Sequence, residues 1–291
     1  MPTVSTLRTL LLTGAAMLAF AANSLLCRLA LAQPRIDPAS FGSIRLASGA
    51  LALALIVRLR PRPQGGAPSA DWLAATMLFA YVALFSFAYL SLPAGTGALI
   101  LFGAVQLTML GAGLRAGERF APAAWGGLAA AVAGLVYLVS PGIAAPAPAG
   151  AASMALAGAA WGIYSLRGRG IADPLAATAS NFARAVPLAA ALSLVAVAAA
   201  HADAAGVALA VASGALTSGI GYVIWYAALR GLSAMRAATV QLSVPPIAAI
   251  GGVLMLSEPL TPRLLLASVA VLGGIAAVLA TRARAVGRAG R

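Results

Sequence analysis

The sequence predicts an all-α membrane protein with ten transmembrane helices, arranged as two inverted five-helix repeats. Three observations predict this fold: an apolar composition, ten apolar stretches of helical length, and a similarity between the two halves of the chain. Of the 291 residues, 62% are hydrophobic and 9% are charged, and the mean hydropathy is +0.97. Soluble domains carry about 25% charged residues. The composition therefore excludes a cytosolic enzyme, a disordered chain and a disulfide-stabilised secreted domain.

The ten apolar stretches are separated by short segments that contain turn residues. Most have the roughly 20 residues that a helix needs to cross a bilayer core of about 30 Å. They are expected to be helical because a chain in lipid must satisfy its backbone hydrogen bonds internally. The first is expected to remain as a helix rather than be cleaved as a signal peptide, since nine more follow it. The stretches cover residues 10–31, 39–57, 72–92, 95–113, 122–140, 151–167, 174–200, 206–229, 235–256 and 263–281.

The two halves of the chain resemble each other at an offset of 140 residues. Glu118 and Glu258 follow the fourth and ninth stretches at this offset, and Phe85 and Trp225 match in the third and eighth. Five helices in each half place the second half in the inverted orientation, which transporters use for alternating access. The chain therefore divides into a first repeat (residues 1–141), an uncharged linker (142–150) and a second repeat (151–291).

The arginines predict the orientation in the membrane. All 19 basic residues are arginine. If the N-terminus is cytoplasmic, 14 of them lie on the cytoplasmic side, and three, Arg28, Arg35 and Arg263, lie on the outer side. Such an excess is typical of cytoplasmic loops. The sequence therefore predicts a multi-pass protein of the bacterial inner membrane with cytoplasmic termini and a periplasmic linker. Because the arginines form no dense patch, nucleic-acid binding is not expected.

Several short motifs occur in order along the two halves: Phe20-Ala21-Ala22-Asn23, Ile44-Arg45-Leu46, Ala88-Tyr89-Leu90-Ser91-Leu92, Ala160-Trp161-Gly162 and two acidic turns around Glu118 and Glu258. These motifs resemble the EamA-type drug/metabolite transporter superfamily. Their doubled order covers nearly the whole chain, and within the superfamily the chain most resembles the YddG-type amino-acid exporters. One departure lies in the second half, where a Ser-Glu-Pro turn around Glu258 replaces the Gly-Glu-Arg turn around Glu118 and lacks its arginine.

The resemblance implies a secondary transporter that moves small organic metabolites outward by alternating access. The expected substrates are amino acids, including aromatic or apolar ones. Two alternatives are an exporter of other metabolites, drugs or glycolipid carriers, and a membrane scaffold without transport activity. Polar groups and kinks at mid-membrane favour transport, because a scaffold needs neither. The expected partners are a small-molecule substrate and the lipid bilayer, and the protein is expected to be monomeric.

Residues near the middle of the predicted helices form the candidate substrate path. Amide side chains are costly in lipid and are expected to face the bundle interior, where aromatic rings suit a substrate with an apolar body. Pro245 and Pro246 lack backbone donors and are predicted to form a hinge. Arg45 and Arg184 lie within helices and are interpreted as gating or structural charges, although either suits a substrate carboxylate. The candidate binding residues are Asn23, Tyr81, Phe85, Gln106, Trp161, Tyr222, Trp225, Tyr226, Gln241 and Ser243.

The sequence contains no cluster of residues suited to catalysis or metal binding. All six acidic residues lie at predicted helix ends or in loops, so no carboxylate is placed at mid-membrane to bind a coupling ion. The single histidine, His201, and the single cysteine, Cys27, supply neither a metal cluster nor a disulfide. No enzymatic activity, cofactor or metal is therefore expected.

Overall fold

The computed structural model describes residues 6–60, 71–117, 121–232 and 234–289, which form ten helical units. Each unit overlaps one predicted apolar stretch. The units are α1 (Thr6–Ala32), α2 (Pro38–Leu59), α3 (Trp72–Ala88), α4 (Ala94–Arg115), α5 (Pro122–Val139), α6 (Pro148–Arg167), α7 (Pro174–Val195), α8 (Ala204–Leu229), α9 (Ala234–Gln241 and Val244–Leu256) and α10 (Pro262–Ala289).

The lengths and hydropathies of these helices fit a membrane protein. Among the described residues, nine helices are long and apolar enough to cross a bilayer, and α3 is apolar but has only 17 residues. The same residues contain no β-strand, only one isolated bridge between Ile36 and Ala202. The predictions of an all-α fold and of a multi-pass membrane protein are confirmed, while the count of ten spans stays a prediction.

Aspartates cap the starts of four helices. Asp37, Asp71, Asp173 and Asp203 each accept a hydrogen bond from the backbone N–H three residues later, at 2.6–3.1 Å. Each cap satisfies one of the donors that the first helical turn leaves unpaired. The predicted position of these acids at helix ends is therefore confirmed, and Glu118 lies outside the described residues.

Some helix boundaries differ from the predicted ones. α6 begins at Pro148, inside the predicted linker 142–150, because a proline without an N–H fits the first position of a helix. α3 ends at Ala88 instead of residue 92, and Tyr89 caps its last turn. α7 ends at Val195 instead of residue 200 and is followed by a short 3₁₀ turn.

α9 is interrupted between Gln241 and Val244, immediately before Pro245 and Pro246. Because neither proline has an N–H, the carbonyls of Gln241 and Leu242 lose their α-helical donors. The helix break that the two prolines predict is present, and a hinge motion at this position stays a prediction.

The middle of α8 is a π-helix over Ala212–Ile220. π-Helical turns are rare and occur mostly at functional sites. This segment lies against α2 with close backbone contact, because a Cβ atom at Gly214 would lie 2.2 Å from the carbonyl oxygen of Arg45. A similar approach joins α5 and α10, where a Cβ atom at Gly127 would lie 2.5 Å from the carbonyl oxygen of Gly274.

Helices of the first half pack mainly on helices of the second half. α5 packs on α10, α2 on α7, and α4 on the second segment of α9. Six further pairs occur in couples that exchange the two halves: α3–α6 with α8–α1, α4–α6 with α9–α1, and α2–α8 with α7–α3. The space between the halves is therefore lined by helices of both.

Two ends of the bundle are distinguished by their side chains. The end with the α2–α3 and α6–α7 connections, which we call the arginine-rich end, holds Arg58, Arg60, Arg167 and Arg169. The opposite end holds the α1–α2, α3–α4, α7–α8 and α9–α10 connections. There the α1–α2 and α7–α8 connections are joined by the bridge between Ile36 and Ala202.

Candidate substrate cavity

A cavity of about 600 Å³ lies between the two halves of the chain. Every helix except α5 contributes to its wall. The wall extends to the arginine-rich end, where it includes the exposed residues Arg167 and Arg169 of the α6–α7 turn. Pockets of roughly 300–1,000 Å³ accommodate small organic ligands, so this cavity is large enough for a metabolite.

The cavity brings together most of the predicted binding residues. Arg45 also lies on its wall, whereas Ser243 does not, and the Ser243 hydroxyl instead donates to the carbonyl of Val240 at 2.7 Å. Whether the wall residues contact a substrate stays a prediction. Those that line the cavity are Asn23, Tyr81, Phe85, Gln106, Trp161, Tyr222, Trp225, Tyr226 and Gln241.

Aromatic rings from α3, α6 and α8 form a continuous surface in the cavity. The ring of Trp161 lies 4.5 Å from that of Tyr81 and 5.7 Å from that of Tyr222, measured between centroids. Phe85 extends this surface beyond Tyr81 at 5.4 Å, and Tyr226 extends it beyond Tyr222 at 6.0 Å. These spacings are typical of favourable aromatic pairs. The surface suits the apolar part of a ligand.

Asn23 joins α1 to the π-helical segment of α8. Its Oδ1 accepts hydrogen bonds from the hydroxyls of Ser213 at 2.5 Å and Thr217 at 3.3 Å. Its Nδ2 donates to the Tyr81 hydroxyl at 3.5 Å. Hydrogen bonds between helices of this kind are how membrane proteins accommodate polar side chains. The amide of Asn23 is therefore held in one orientation at the cavity wall.

Arg45 places a positive charge on the wall with only 2% of its surface exposed. Its Nη2 donates to the Tyr81 hydroxyl at 3.0 Å, and its Nε donates to Ser218 Oγ at 3.4 Å. The guanidinium also lies 5.0 Å from the ring centroid of Phe85, within cation–π range. Among the residues that the structure describes, no aspartate or glutamate lines the cavity.

Arg28 and Glu258 meet on the opposite side of the cavity. Arg28 Nε donates to Glu258 Oε1 at 2.9 Å, and its Nη1 donates to the carbonyls of Tyr89 and Leu90 at 2.9 and 3.2 Å. Glu258 Oε2 accepts the N–H of Ala94, at the start of α4, at 2.7 Å. This cluster joins α1, the end of α3, the start of α4 and the end of α9.

The Arg28–Glu258 cluster lies between the cavity wall and the opposite end. Ser24, one helical turn before Arg28, is the last residue of α1 on the cavity wall. Sequence reasoning missed the cluster because the two charged residues are 230 positions apart. The available signal was an arginine in the last turns of an otherwise apolar helix.

Two ion pairs join helices at the arginine-rich end. Arg167 Nε lies 2.7 Å from Asp71 Oδ2 and links α6 to α3, while Arg60 pairs with Asp173 and links α2 to α7. Partial burial acts to raise the pKa of both carboxyl groups, but the hydrogen bonds from the arginines and from backbone N–H groups lower the pKa of each below its ordinary value.

Arg184 lies away from the cavity. Its guanidinium bonds to Ser180 on the same helix and lies 6.0 Å from the ring centroid of Trp72. Within the described part of the chain, no group of three or more histidine, cysteine or acidic side chains is arranged to hold a metal ion.

The helices and the central cavity define a multi-pass membrane protein of the transporter class. Residues 148–280 match the sequence model of the EamA-like transporter family. An uncharacterized protein of Pseudomonas aeruginosa is 55% identical over 284 residues, which cover 98% of both chains. A protein of known crystal structure, 18% identical, superposes with a TM-score of 0.64 over 96% of this chain and 99% of its own, and this likeness concerns the fold.

Residues 148–280 of the chain thus form an EamA-like transporter family domain. The predicted resemblance is confirmed at this level, and with it the class of a membrane transporter for small molecules.

Proposed function

We propose that this protein exports amino acids, including aromatic and apolar ones, across the bacterial inner membrane by alternating access. The observation that carries this proposal is the cavity between the halves, which combines an aromatic surface with fixed polar groups. Trp161 and Tyr222 meet the apolar part of the substrate, while the amides of Asn23, Gln106 and Gln241 meet its polar end. A cavity with both features suits a small molecule that has one apolar and one polar part.

Residues 1–141 and 151–291 act as two inverted repeats in this proposal, joined by the linker 142–150. The pairing of helices across the halves supports it, because the main pairs each map onto themselves or onto another such pair when the halves are exchanged. Such a pseudo-symmetry lets two similar halves exchange inward-open and outward-open shapes around one site. Pro245 and Pro246 supply the hinge in α9, and Ser243 contributes to this break instead of contacting substrate.

The arginine-rich end faces the cytoplasm in this proposal, in agreement with the positive-inside rule. The cavity is then reached from the cytoplasm, and the Arg28–Glu258 cluster closes the periplasmic side. Arg184 is a structural charge placed beside Trp72. The protein acts as a monomer in the lipid bilayer.

Downhill flux in proteoliposomes tests the proposed function. Vesicles that contain the purified protein are loaded with labelled phenylalanine, tryptophan or leucine, and with a sugar or a cationic drug in parallel. We expect efflux of the amino acids above that of protein-free vesicles. Efflux of only the sugar or the drug would favour the alternative exporters. No protein-dependent efflux of any compound would favour a scaffold.

A further inference from the structure

The positive charge of Arg45 is not neutralised by an acidic residue among the described residues of the cavity wall. A charged group buried at low dielectric is normally paired with an opposite charge. The Nη1 atom of Arg45 is buried and has no hydrogen-bond partner, while Nη2 and Nε are used by Tyr81 and Ser218. The positive charge on the wall therefore favours an anionic group supplied by a bound ligand.

Tyr81 connects this charge to the cavity. Its hydroxyl oxygen accepts from Arg45 Nη2 at 3.0 Å and from Asn23 Nδ2 at 3.5 Å. Because a phenol has one donor and two acceptor positions, both acceptor positions are occupied and the O–H remains to donate. No hydrogen bond donated by this hydroxyl to another described residue is found, and Tyr81 lines the cavity. A donor polarised by a neighbouring guanidinium forms a stronger hydrogen bond with an anionic acceptor.

We propose that Arg45 and Tyr81 form a carboxylate subsite, so that the transported compounds are carboxylates with an apolar body, whether or not they carry an amino group. The proposal rests on the proposed transport function and narrows its substrate class. The carboxylate accepts the Tyr81 O–H and is attracted by the charge of Arg45. The apolar body lies on the aromatic surface around Trp161 and Tyr222. An amino group, where present, meets amide oxygens and ring faces.

Cations without a carboxylate are disfavoured by the same arrangement. An ammonium group in the cavity is repelled by Arg45 and finds no carboxylate among the described wall residues. At the entrance, Arg169 also favours anions, whereas the charge of Arg167 is compensated by its ion pair with Asp71. Cationic drugs are therefore poor ligands for this cavity.

Three compounds with the same phenyl ring separate the contributions of the charged groups. Phenylalanine carries both a carboxylate and an ammonium, 3-phenylpropionate carries only the carboxylate, and phenethylamine carries only the ammonium. Binding to the purified full-length protein is measured by competition against labelled phenylalanine and by ligand-induced shifts in unfolding temperature. We expect phenylalanine and 3-phenylpropionate to bind with similar affinity. Phenethylamine is expected to bind at least about tenfold more weakly, as the loss of a charge-assisted hydrogen bond predicts.

Two variants test the assigned residues. Tyr81→Phe removes the hydroxyl and keeps the ring, and Arg45→Gln removes the charge. Each is expected to weaken binding of the two carboxylates about tenfold and to leave phenethylamine unchanged or tighter. The matched control is Tyr137→Phe, which removes a hydroxyl from α5, outside the cavity wall. If Arg45→Gln does not fold, the change in carboxylate binding in Tyr81→Phe alone tests the subsite.

The outcomes distinguish this proposal from the proposed function. Equal binding of the three compounds, or a preference for carboxylates that survives in Tyr81→Phe, would overturn the subsite and leave amino-acid export standing. Binding of 3-phenylpropionate without transport of phenylalanine would overturn amino-acid export and leave the subsite standing. Absence of binding by all three compounds would overturn both.

Discussion

Glu258 accepts a hydrogen bond at 2.9 Å from Arg28, which precedes it by 230 residues. The acidic turn of the second half has no arginine of its own, and its glutamate instead pairs with an arginine of α1. The same carboxylate binds the N–H of Ala94, where the partial positive charge of a helix N-terminus favours an anion. One side chain therefore links three helices on the side of the cavity that we propose to be closed.

We expect Glu258→Gln to open this side of the cavity more often. Glutamine keeps an oxygen that can accept the Ala94 N–H but removes the charge opposite Arg28. The pair is 18% and 12% exposed, and loss of a charged hydrogen bond of about 1.5 kcal/mol changes the open-to-closed ratio roughly tenfold. The measurement is the rate at which an impermeant thiol reagent, applied from the periplasmic side, labels Ser24→Cys in a Cys27→Ala background.

Asp203→Asn is the matched control for Glu258→Gln. Asp203 pairs with Arg35 at the same end, but the two side chains are 53% and 37% exposed, and such pairs contribute little. Asparagine also keeps the helix cap. Equal labelling rates in Glu258→Gln and in the parent protein would show that the Arg28–Glu258 pair does not hold this side closed.

Trp161→Ala should lower the affinity for aromatic substrates. The substitution removes the ring between Tyr81 and Tyr222, and each aromatic contact is worth about 0.5–1.5 kcal/mol, so the Michaelis constant is expected to rise about tenfold. Initial efflux rates over a range of phenylalanine and leucine concentrations measure it. Trp125→Ala, at a half-exposed position on α5 outside the cavity wall, is expected to keep the parent's preference. Similar kinetics in the two variants would show that Trp161 does not contact the substrate.

The termini and the linker should lie on opposite sides of the membrane. The basis is the excess of arginine at one end of the bundle. Single cysteines are introduced at Ala147, which is exposed in the linker, and in the tail after Arg284, both in a Cys27→Ala background. In intact cells, an impermeant thiol reagent is expected to label the linker only. Labelling of the tail alone would reverse the orientation.

Transport of a zwitterionic amino acid should not require a proton gradient. Five of the six acidic residues lie at helix ends in the structure, and none of these five lines the cavity. An intramembrane carboxylate is the usual proton-binding group of coupled carriers. Collapse of the pH difference with an ionophore is therefore expected to leave downhill efflux largely intact. Complete loss of efflux would identify a proton-binding group outside the cavity wall.

Stability should decline only under strongly acidic conditions. The pKa values of Asp71 and Asp173 are lowered in the folded protein by their arginine partners. A lowered pKa stabilises the fold above the pKa of the unfolded chain, and this contribution is lost as the pH falls through the folded value. The unfolding temperature in detergent is expected to be level from pH 7 to 5 and to fall below about pH 4.

Asp71→Asn combined with Asp173→Asn tests the source of this decline. Asparagine keeps both helix caps but does not titrate, so the decline below pH 4 should become shallower and the unfolding temperature at pH 7 should be lower than in the parent. A decline that is as steep in the double variant as in the parent would assign it to other groups.

The helices and the main amide and aromatic side chains of the cavity wall were predictable from local features of the sequence. The length of an apolar stretch gives the depth of each residue in the membrane, which placed Trp161 and Gln106 near the centre. The cost of an amide in lipid then indicated that Gln106 and Asn23 face inwards. These inferences need no knowledge of which helices are neighbours.

Contacts between distant residues were not predictable in this way. The Arg28–Glu258 pair depends on how α1 and α9 pack. The bonds from Ser213 and Thr217 to Asn23 depend on a π-helical segment that apolar patterning does not distinguish from an α-helix. Ser243 lies off the wall while Gln241 lies on it, because residues two positions apart on a helix do not share a face.

The interruption of α9 has no counterpart in α4, which runs without a break from Ala94 to Arg115. If these two helices are equivalent members of inverted repeats, the pseudo-two-fold symmetry between them is broken at this position. The inward-open and outward-open shapes are then not equivalent and differ in free energy. The substrate then encounters sites of unequal affinity at the two membrane faces. Because an uncoupled carrier creates no gradient, the ratio of maximal rate to half-saturating concentration must be equal in both directions. The face with the weaker affinity therefore sustains the faster maximal flux, and the protein behaves as a kinetically asymmetric carrier.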